Sequence, residues 1–192
     1  MNADLSGRPG SLGETRDDAE NILRDQIARW QQPLFRFAWR YLRNAADAEE
    51  VTIEAFVRLH EHRSQFRDRT RVSAWLFSTV ANLCRNRQRW RRRHPEDPLE
   101  IPDGDRPAGP WISAECSPSE AAQDNERVAA LRAAIDELPA DQKTVLLLHE
   151  FQGATCGDIA PIVGCSERGV ETRLYRAKRR LRRHLGRLLP ER

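Results

Sequence analysis

An acidic, proline-rich stretch in the middle of the chain limits the fold more than any other feature of the sequence. Residues 95–118 contain six prolines, and residues 95–126 carry nine acidic side chains against one basic side chain. Proline disrupts helix interiors and clustered acids repel one another, so this stretch cannot build a packed core. It therefore predicts an extended linker between two separate domains.

The sequence on either side of this linker predicts an all-α protein with two small helical domains. Apolar residues recur at helical spacing, and neither an alternating strand pattern nor an Asn-Gly hairpin signal is present. The expected organisation is a tail at 1–17, a first domain at 18–94, the linker at 95–118, a second domain at 119–187 and a tail at 188–192.

Four helices are expected to form the core of the first domain. The first helix carries Ile22, Ile27 and Trp30, and Pro33 is suited to the first turn of the second. The third helix runs from Ala46 to about His62, and Ser73 is a candidate N-cap for the fourth. The residues expected to face inward on the last three helices are Leu34, Phe37, Ala38, Tyr41, Leu42, Val51, Ala55, Val57, Leu59, Trp75, Leu76, Thr79, Val80 and Leu83.

In the second domain, the sequence predicts two helices, at 119–138 and 141–151, followed by a helix-turn-helix. Thr155 with Asp158 forms a capping-box pattern, and Gly164 is suited to the turn. Pro161 is expected to kink or shorten the first helix of this motif. The residues expected to be buried are Val128, Leu131, Ile135 and Leu138 before the motif, and Val170, Leu174, Ala177 and Leu181 in its last helix.

Charge is segregated along the chain in a way that the net charge of +3 conceals. Residues 33–94 hold 14 basic and 6 acidic side chains, and residues 127–192 hold 13 and 8. Two basic blocks of +8 and +5 thus flank an acidic block of −8. This arrangement indicates that the protein binds a polyanion at two places and that the acidic spacer between them does not contact it.

The last helix predicts contact with duplex DNA, because the second helix of a helix-turn-helix enters the major groove with its N-terminal residues at the base edges. Nine basic side chains lie between Arg168 and Arg187, and Glu171 is the one acid among them. The later cations are expected to hold phosphates, which carry no sequence information. The candidate base-reading residues are Arg168, Glu171, Thr172, Arg173, Tyr175 and Arg176.

A second arginine cluster ends the fourth expected helix. Six of the nine residues from 85 to 93 are arginine, with no acidic residue beside them in the sequence. We expect the helix to leave the core and lie along phosphates, with an amide and guanidinium face formed by Asn82, Arg85, Asn86 and Arg89. Trp75 and Phe77 are core candidates that are also near enough to stack on single-stranded bases, and Trp90 is expected at the surface.

The segment DAEEVTIEAF, residues 47–56, begins with acids that stabilise the N-terminus of a helix through its dipole. Together with Ala74-Trp75-Leu76, Ala81-Asn82, Leu138-Pro139 and residues 153–181, it resembles the extracytoplasmic-function (ECF) RNA polymerase sigma factors. These are bacterial initiation factors that contain only the second and fourth sigma domains. The order of the motifs and the position of the linker agree over about residues 18–187.

The resemblance implies a non-catalytic promoter-specificity subunit that acts without a cofactor. Its partners would be core RNA polymerase (the beta-prime and beta subunits), promoter DNA and an anti-sigma protein. The resemblance assigns polymerase binding to Asp47, Glu50, Glu54 and Phe56. It assigns opening of the minus-ten element to the loop at 63–71 and to Trp75, Asn82, Arg85, Asn86 and Arg89, and minus-thirty-five recognition to the six residues of the last helix.

Three positions depart from the family pattern and bear on the polymerase contact and the DNA sequence that is read. Ile53 replaces the usual glutamine, Glu50 the usual aspartate, and Glu171 a frequent lysine or arginine. A stand-alone helix-turn-helix regulator is the alternative function, but it leaves residues 47–56 and the first arginine cluster without a role. A nucleic-acid enzyme using Glu49, Glu50 and Glu54 as metal ligands is a third hypothesis, with no His or Asp partner placed beside them.

The ends and the cysteines add two expectations. The N-terminus lacks the basic-then-apolar order of a signal peptide, and no run is apolar enough to span a membrane, which favours a cytoplasmic location. The four cysteines are widely spaced and favour reduced thiols. A zinc site using His149, Cys156 and Cys165 is the alternative, although their spacing is not typical of zinc ligands.

Overall fold

The computed structural model describes residues 16–62, 70–94 and 123–188, and within these ranges the regular structure is entirely α-helical. Several parts of the expected organisation lie outside these ranges. They are the N-terminal tail up to residue 15, the basic loop at 63–69, the linker at 95–118 and the C-terminal tail from residue 189. The helices are α1 (Arg16–Leu42), α2 (Ala45–Glu61), α3 (Thr70–Arg93), α4 (Gln123–Asp136), α5 (Ala140–Gln152), α6 (Cys156–Val163) and α7 (Glu167–Leu188).

The first two expected helices are one continuous helix, α1, with Pro33 in its interior. The first domain therefore contains three helices in the described residues, not the expected four. An interior proline costs about 3 kcal/mol because a hydrogen bond is lost. The ring of Phe77 in α3 offsets this cost, since it packs edge-on against Trp30 before the proline and Phe37 after it, with ring centroids 6.1 and 5.9 Å away. Both halves of α1 are thereby held against the same core.

Helix α2 buries one stripe and exposes the opposite one. Its first turn is capped by Asn44, whose side-chain oxygen accepts a hydrogen bond of 2.9 Å from the Asp47 amide. Val51, Ala55 and Leu59 are buried at four-residue spacing, as expected. Val57 was wrongly placed in this stripe: it lies half a turn away and is 51% exposed.

Helix α3 begins at Thr70, so Ser73 is a helix residue and not the expected N-cap. The earlier start extends the apolar stripe by one turn. Val72 precedes Leu76 and Val80 at four-residue spacing, and all three are buried. Burial of the Val72 side chain contributes about 1.5–3 kcal/mol, which exceeds the roughly 1 kcal/mol that an N-cap supplies.

Helix α4 buries only its C-terminal end. Ile135 and the following Leu138 are 3% and 6% exposed, as expected. The expected burial of Val128 and Leu131 is wrong, since these side chains are 39% and 37% exposed. Both side chains therefore lie at the protein surface, before the buried C-terminal end of α4.

The helix-turn-helix forms as predicted from its capping residues. Thr155 caps α6 and makes a reciprocal capping box with Asp158, whose carboxylate accepts a hydrogen bond of 3.0 Å from the Thr155 amide. Gly164 ends α6 in the left-handed conformation at φ 64°, which glycine adopts without a Cβ clash. The helix nevertheless continues through Pro161 to Val163, so the expected shortening does not occur.

The two domains pack against each other through α1 with α5 and α3 with α6. Helix α5 is central to this arrangement, and its residues 142–148 are all buried. One of them is a lysine: Lys143 donates a hydrogen bond of 2.8 Å to the backbone carbonyl of Tyr41 in the first domain. Burial lowers the pKa of Lys143, while its hydrogen bond to Asp136 opposes that shift. The apolar core is continuous across this contact.

The capping box gives a direct test of the second domain. Thr155→Ala removes the hydroxyl that accepts from the Asp158 amide at 3.2 Å and should lower the free energy of unfolding by about 1 kcal/mol. Chemical denaturation followed by circular dichroism measures this change. Thr155→Ser keeps the hydroxyl and serves as the control. Equal losses in both variants would show that the cap does not stabilise α6.

Candidate nucleic-acid and polymerase interfaces

Helix α7 separates a buried apolar stripe from an exposed polar face. Val170, Leu174 and Ala177 are buried as predicted, and Leu181 is half-buried. On the other face, five of the six candidate base-reading side chains are exposed together, and Tyr175 is 64% exposed. These five are Arg168, Glu171, Thr172, Tyr175 and Arg176.

The sixth candidate, Arg173, faces the interior of its own domain. Its Nε lies 3.3 Å from a carboxylate oxygen of Asp141 in α5, and its guanidinium also contacts the Cys165 thiol in the turn. The side chain is therefore tied both to α5, which precedes the helix-turn-helix, and to the turn of that motif. This geometry suits a residue that orients α7, whereas Arg168 and Arg176 are exposed to a ligand.

Helix α3 presents an amide and guanidinium face beyond the core. Asn82, Asn86 and Arg89 are exposed at spacings of four and three residues, which places them along one side of the helix. Arg85 is half-buried and is held on that side by hydrogen bonds of 2.5 Å to the Asn82 side chain and 3.2 Å to the Ala81 carbonyl. The four polar candidates from the sequence thus share one surface, the α3 face.

The aromatic candidates on α3 differ in exposure. Phe77 is buried, whereas Trp75 is half-buried with its ring centroid 6.1 Å from that of His62. Trp90 is 42% exposed, as expected, and stacks on the His94 ring with centroids 4.9 Å apart. Aromatic surface is therefore present near both ends of the α3 face.

Acids of α2 neutralise part of the arginine cluster, although no acidic residue lies beside the cluster in the sequence. Arg91 lies 2.5 Å from a carboxylate oxygen of Asp47, and Arg87 pairs with Glu50. The hydrogen bond to the Glu50 carboxylate raises the pKa of Arg87 and keeps it charged. Arg89, Arg92 and Arg93 remain exposed, so the cluster is divided between an inner structural pair and an outer cationic surface.

The four candidate polymerase-binding residues do not form one surface. Phe56 is 9% exposed and belongs to the core, and the Asp47 side chain is 14% exposed against Arg91. Glu50 is exposed and Glu54 is half-buried, and both form ion pairs, Glu54 with Arg58 at 2.6 Å. The surface they border contains two apolar residues that the sequence did not assign to polymerase binding, although one of them is the departure from the family pattern at position 53.

These two residues are Ile53 and Val57, which are 52% and 51% exposed one turn apart on α2. The helical period itself contains the signal, because both lie opposite the stripe of Val51, Ala55 and Leu59. We call the surface formed by Glu50, Ile53, Glu54 and Val57 the α2 face. Exposed apolar residues with a polar rim are typical of protein-binding sites.

The metal hypotheses find no support in the described part of the chain. It contains no cluster of three or more His, Cys, Asp or Glu side chains that could hold a metal ion. Cys84, Cys156 and Cys165 are free thiols, and Glu49, Glu50 and Glu54 are residues of one helix. Nor is any described helix both long and apolar enough to cross a bilayer.

Two helical domains, one with a helix-turn-helix whose second helix has an exposed polar face, are typical of a DNA-binding protein. The family model for Sigma-70 region 2 matches residues 26–94, and that for Sigma-70 region 4 matches residues 129–181. The chain belongs to the ECF RNA polymerase sigma factors. It is thus an RNA polymerase sigma factor that directs promoter recognition, and the stand-alone regulator is not favoured.

Curated relatives support this assignment over most of their length. ECF RNA polymerase sigma factor SigM of Mycobacterium tuberculosis is 32% identical over 84% of this chain and 76% of its own. ECF RNA polymerase sigma factor EcfG of Rhodopseudomonas palustris is 31% identical over 83% and 82%. RNA polymerase sigma-H factor of Pseudomonas aeruginosa is 28% identical over 86% of each chain.

Two solved structures share the fold. RpoE of Bartonella quintana, solved with the anti-sigma factor NepR, gives a TM-score of 0.62 at 19% identity over 89% of this chain and 99% of that chain. CnrH, solved with the cytosolic domain of CnrY, also gives 0.62, at 20% identity over 88% and 90%. Both confirm the all-α architecture of the two domains.

The exposed cations are expected to form two groups, those that read bases and those that hold phosphates, and one variant from each group tests this division. Arg176→Ala, in the first half of α7, should reduce discrimination between upstream promoter sequences, with about 1–3 kcal/mol lost at one base position. Arg92→Ala, on α3, should weaken binding similarly on all sequences and reduce the salt slope by about one phosphate contact. Holoenzyme binding to a promoter library at several salt concentrations separates the two effects. Equal effects of both variants on every promoter would contradict the division into base-reading and phosphate-binding cations.

Proposed function

We propose that the α2 face binds the coiled-coil clamp of the largest subunit of core polymerase. The observation that carries this proposal is the exposed apolar pair Ile53 and Val57, with the carboxylates of Glu50 and Glu54 beside it. The apolar pair would supply the buried centre of the contact and the carboxylates its charged rim. Phe56 and Asp47 would act indirectly, because they hold α2 against its own domain.

The contact predicts different outcomes for two substitutions at one position. Ile53→Lys should weaken core polymerase binding at least tenfold, because a charge replaces the apolar centre of the contact. Ile53→Gln introduces the residue that the family usually carries there and should retain most of the affinity. Titration of labelled core polymerase measures both.

Position 53 is more than half exposed, so neither variant should change the helical circular dichroism signal. That signal is the folding control for the comparison. Loss of binding in the Gln variant as well would show that the isoleucine itself is required. Unchanged binding in the Lys variant would remove the α2 face from the polymerase contact.

We propose that the α3 face holds the minus-ten element after its strands separate. Asparagine and arginine side chains supply hydrogen-bond donors for unpaired bases and phosphates, and Arg85 is already oriented by Asn82. Trp75, at the start of this face, can stack on an extruded base, a contact that contributes about 1–3 kcal/mol. The paired Arg87 and Arg91 would stabilise α3 without binding DNA directly.

A role in strand opening predicts a specific rescue. Asn86→Ala should slow formation of the open complex on duplex promoter DNA, because a donor to the unpaired strand is lost. On a template that is already unpaired across the minus-ten element, much of the defect should disappear. Run-off transcription with core polymerase on both templates measures the ratio, and Arg92→Ala, which should be equally impaired on both, is the control. An equal defect of Asn86→Ala on both templates would contradict the role in opening.

We propose that the N-terminal part of α7 reads the minus-thirty-five element as duplex DNA. Arg168 and Arg176 can donate to guanine, and Glu171 can accept from a cytosine amino group. Each domain alone has a modest basic surface and would bind weakly and with strong salt dependence. Attachment of both domains to one polymerase raises the effective concentration of the second contact once the first has formed.

We further propose that this sigma factor acts in the cytoplasm, where core polymerase is located. We also propose that an anti-sigma protein binds it and restrains its activity. Support comes from RpoE and CnrH, each solved in complex with a partner, and from the exposed apolar residues Val128 and Leu131 on α4. Affinity purification from the native bacterium tests the proposal. A partner that inhibits transcription in vitro and is lost on Leu131→Lys supports it, and purification of polymerase subunits alone contradicts it.

A further inference from the structure

A cationic pocket lies where the ends of α1, α3 and α4 meet. Its volume is about 360 Å³, which falls within the range of about 300–1,000 Å³ that is typical of small-molecule sites. Three of the residues that line it are arginines, and one is an acid. The polar lining consists of Tyr41, Arg43, Gln88, Arg91, Arg92 and Asp136.

Arg43 adopts a backbone conformation that is unfavourable for a residue with a Cβ. Its φ is 56°, in the left-handed region, and among the described residues it is the one non-glycine residue with a positive φ. Glycine is the usual residue at such a position directly after a helix. An arginine that is kept there at the expense of backbone stability indicates a role for its side chain.

The Arg43 guanidinium lies over an aromatic ring and is incompletely hydrogen-bonded. Its central carbon is 5.6 Å from the centroid of the Trp39 ring, and its Nε is buried without a hydrogen-bond partner among the described residues. Burial lowers the pKa of Arg43, and the nearby Arg132 and Arg40 add to this effect, whereas Asp136 opposes it. A buried donor without an acceptor is costly, and a bound anion would supply that acceptor.

The acceptors that surround the pocket are already bonded to other cations. The Asp136 carboxylate accepts from Lys143 at 2.7 Å, and the same ammonium donates to the Tyr41 carbonyl at the end of α1 at 2.8 Å. Arg91 is paired with Asp47 at 2.5 Å. The anionic groups of the protein thus neutralise Lys143 and Arg91, and Arg43 and Arg92 are left without an ion pair among the described residues.

These remaining donors determine the chemistry of the ligand. Arg43 and Arg92 each present a planar guanidinium, whose N–H groups match the oxygens of a phosphate, and Gln88 adds a side-chain amide. Two guanidinium groups need a ligand with at least two negative charges. The pocket is also larger than a single phosphate ion, so a chain of two or three phosphates fits it better than one phosphate or a carboxylate.

We propose that this pocket binds a small molecule that carries a di- or triphosphate group, with its phosphates on Arg43 and Arg92. The binding itself does not depend on the proposed function. One consequence does, because Arg92 is also expected to hold a DNA phosphate at the end of α3. The bound small molecule should therefore compete with promoter DNA at this point.

Isothermal titration calorimetry of the free chain with inorganic tripolyphosphate, at physiological salt and without magnesium, tests the site. Arg43→Gly should lower the affinity about tenfold or more, the effect of losing hydrogen bonds to a charged group. Glycine suits the left-handed backbone, so the helical circular dichroism signal should be unchanged. Inorganic phosphate should bind the unmodified chain at least tenfold more weakly than tripolyphosphate.

A second variant changes the pocket from its other wall. Gln88→Glu nearly preserves the shape of a half-buried side chain but adds a negative charge, and should also lower the affinity about tenfold or more. Arg36→Ala is the matched control, because it removes an exposed arginine of α1 outside the pocket. Position 36 lies about 10 Å from position 43 along the helix, beyond the screening length of about 8 Å, so this variant should bind as the unmodified chain does.

The source of the phosphates is tested by repeating the titration with adenosine triphosphate. Affinity at least equal to that of tripolyphosphate supports a nucleotide as the ligand, and weaker binding supports an inorganic polyphosphate. Failure of the unmodified chain to bind either one would overturn the proposal. Equal affinities of the unmodified chain and Arg43→Gly, or an equal loss in Arg36→Ala, would also overturn it, because the anion would then be attracted by the surface charge alone.

The competition with DNA is measured on the holoenzyme. Tripolyphosphate should weaken promoter binding of the unmodified holoenzyme more than that of the Arg43→Gly holoenzyme, and both contain the same core polymerase. Equal weakening would overturn the competition and leave the site to be judged by calorimetry. The calorimetric titration needs no polymerase, so its outcome is distinct from a failure of the proposed function, which would appear as an unmodified chain that does not bind core polymerase.

Discussion

Apart from the central helix α5, the helices of the described residues have narrow apolar stripes, because charged residues make up 32% of the chain. Burying these stripes forces the charged side chains to the opposite faces, and the remaining structure follows from that requirement. Phe77 illustrates the constraint, since its ring contacts Trp30 and Phe37 on either side of Pro33 and keeps α1 continuous. The same division leaves the α3 face and the exposed side of α7 available for DNA.

Ion pairs between neighbouring helices determine which charges remain available. Arg87 and Arg91 are bound by Glu50 and Asp47 of α2, whereas Arg89 on the same helix is exposed. A cluster of like charges is thus divided into cations that stabilise the domain and cations that can bind phosphate. The pairing also links the two functions proposed for the domain, because Glu50 of the α2 face is bound to Arg87 on the helix that carries the α3 face.

At the contact between the domains, Lys143 is likewise a charge that is held by pairing. Its ammonium is buried, yet it satisfies the end of α1 and is neutralised by Asp136. Such a contact is specific in geometry and modest in net energy, since the cost of removing a charge from water opposes the gain from pairing.

Local signals in the sequence determined the helix-turn-helix, the separation into two basic domains and the exposed side of α7. The capping box of Thr155 and Asp158 and the turn at Gly164 act within a few residues, so their effect can be inferred without a fold. Helical spacing likewise identified the buried stripe of Val170, Leu174 and Ala177 and, applied strictly, would have placed Val57 at the surface. The family motifs added the polymerase and promoter assignments.

Only the tertiary structure decided the features that depend on residues far apart in the chain. Phe77 packs on both sides of Pro33 in the continuous α1, the early start of α3 buries Val72, and the buried Lys143 is bonded to Tyr41, 102 residues away. Local propensity disfavours the proline and the buried charge, and no pattern in the neighbouring residues reveals the compensation. Burial and pairing are properties of what surrounds a side chain, and those surroundings exist only after the helices have packed.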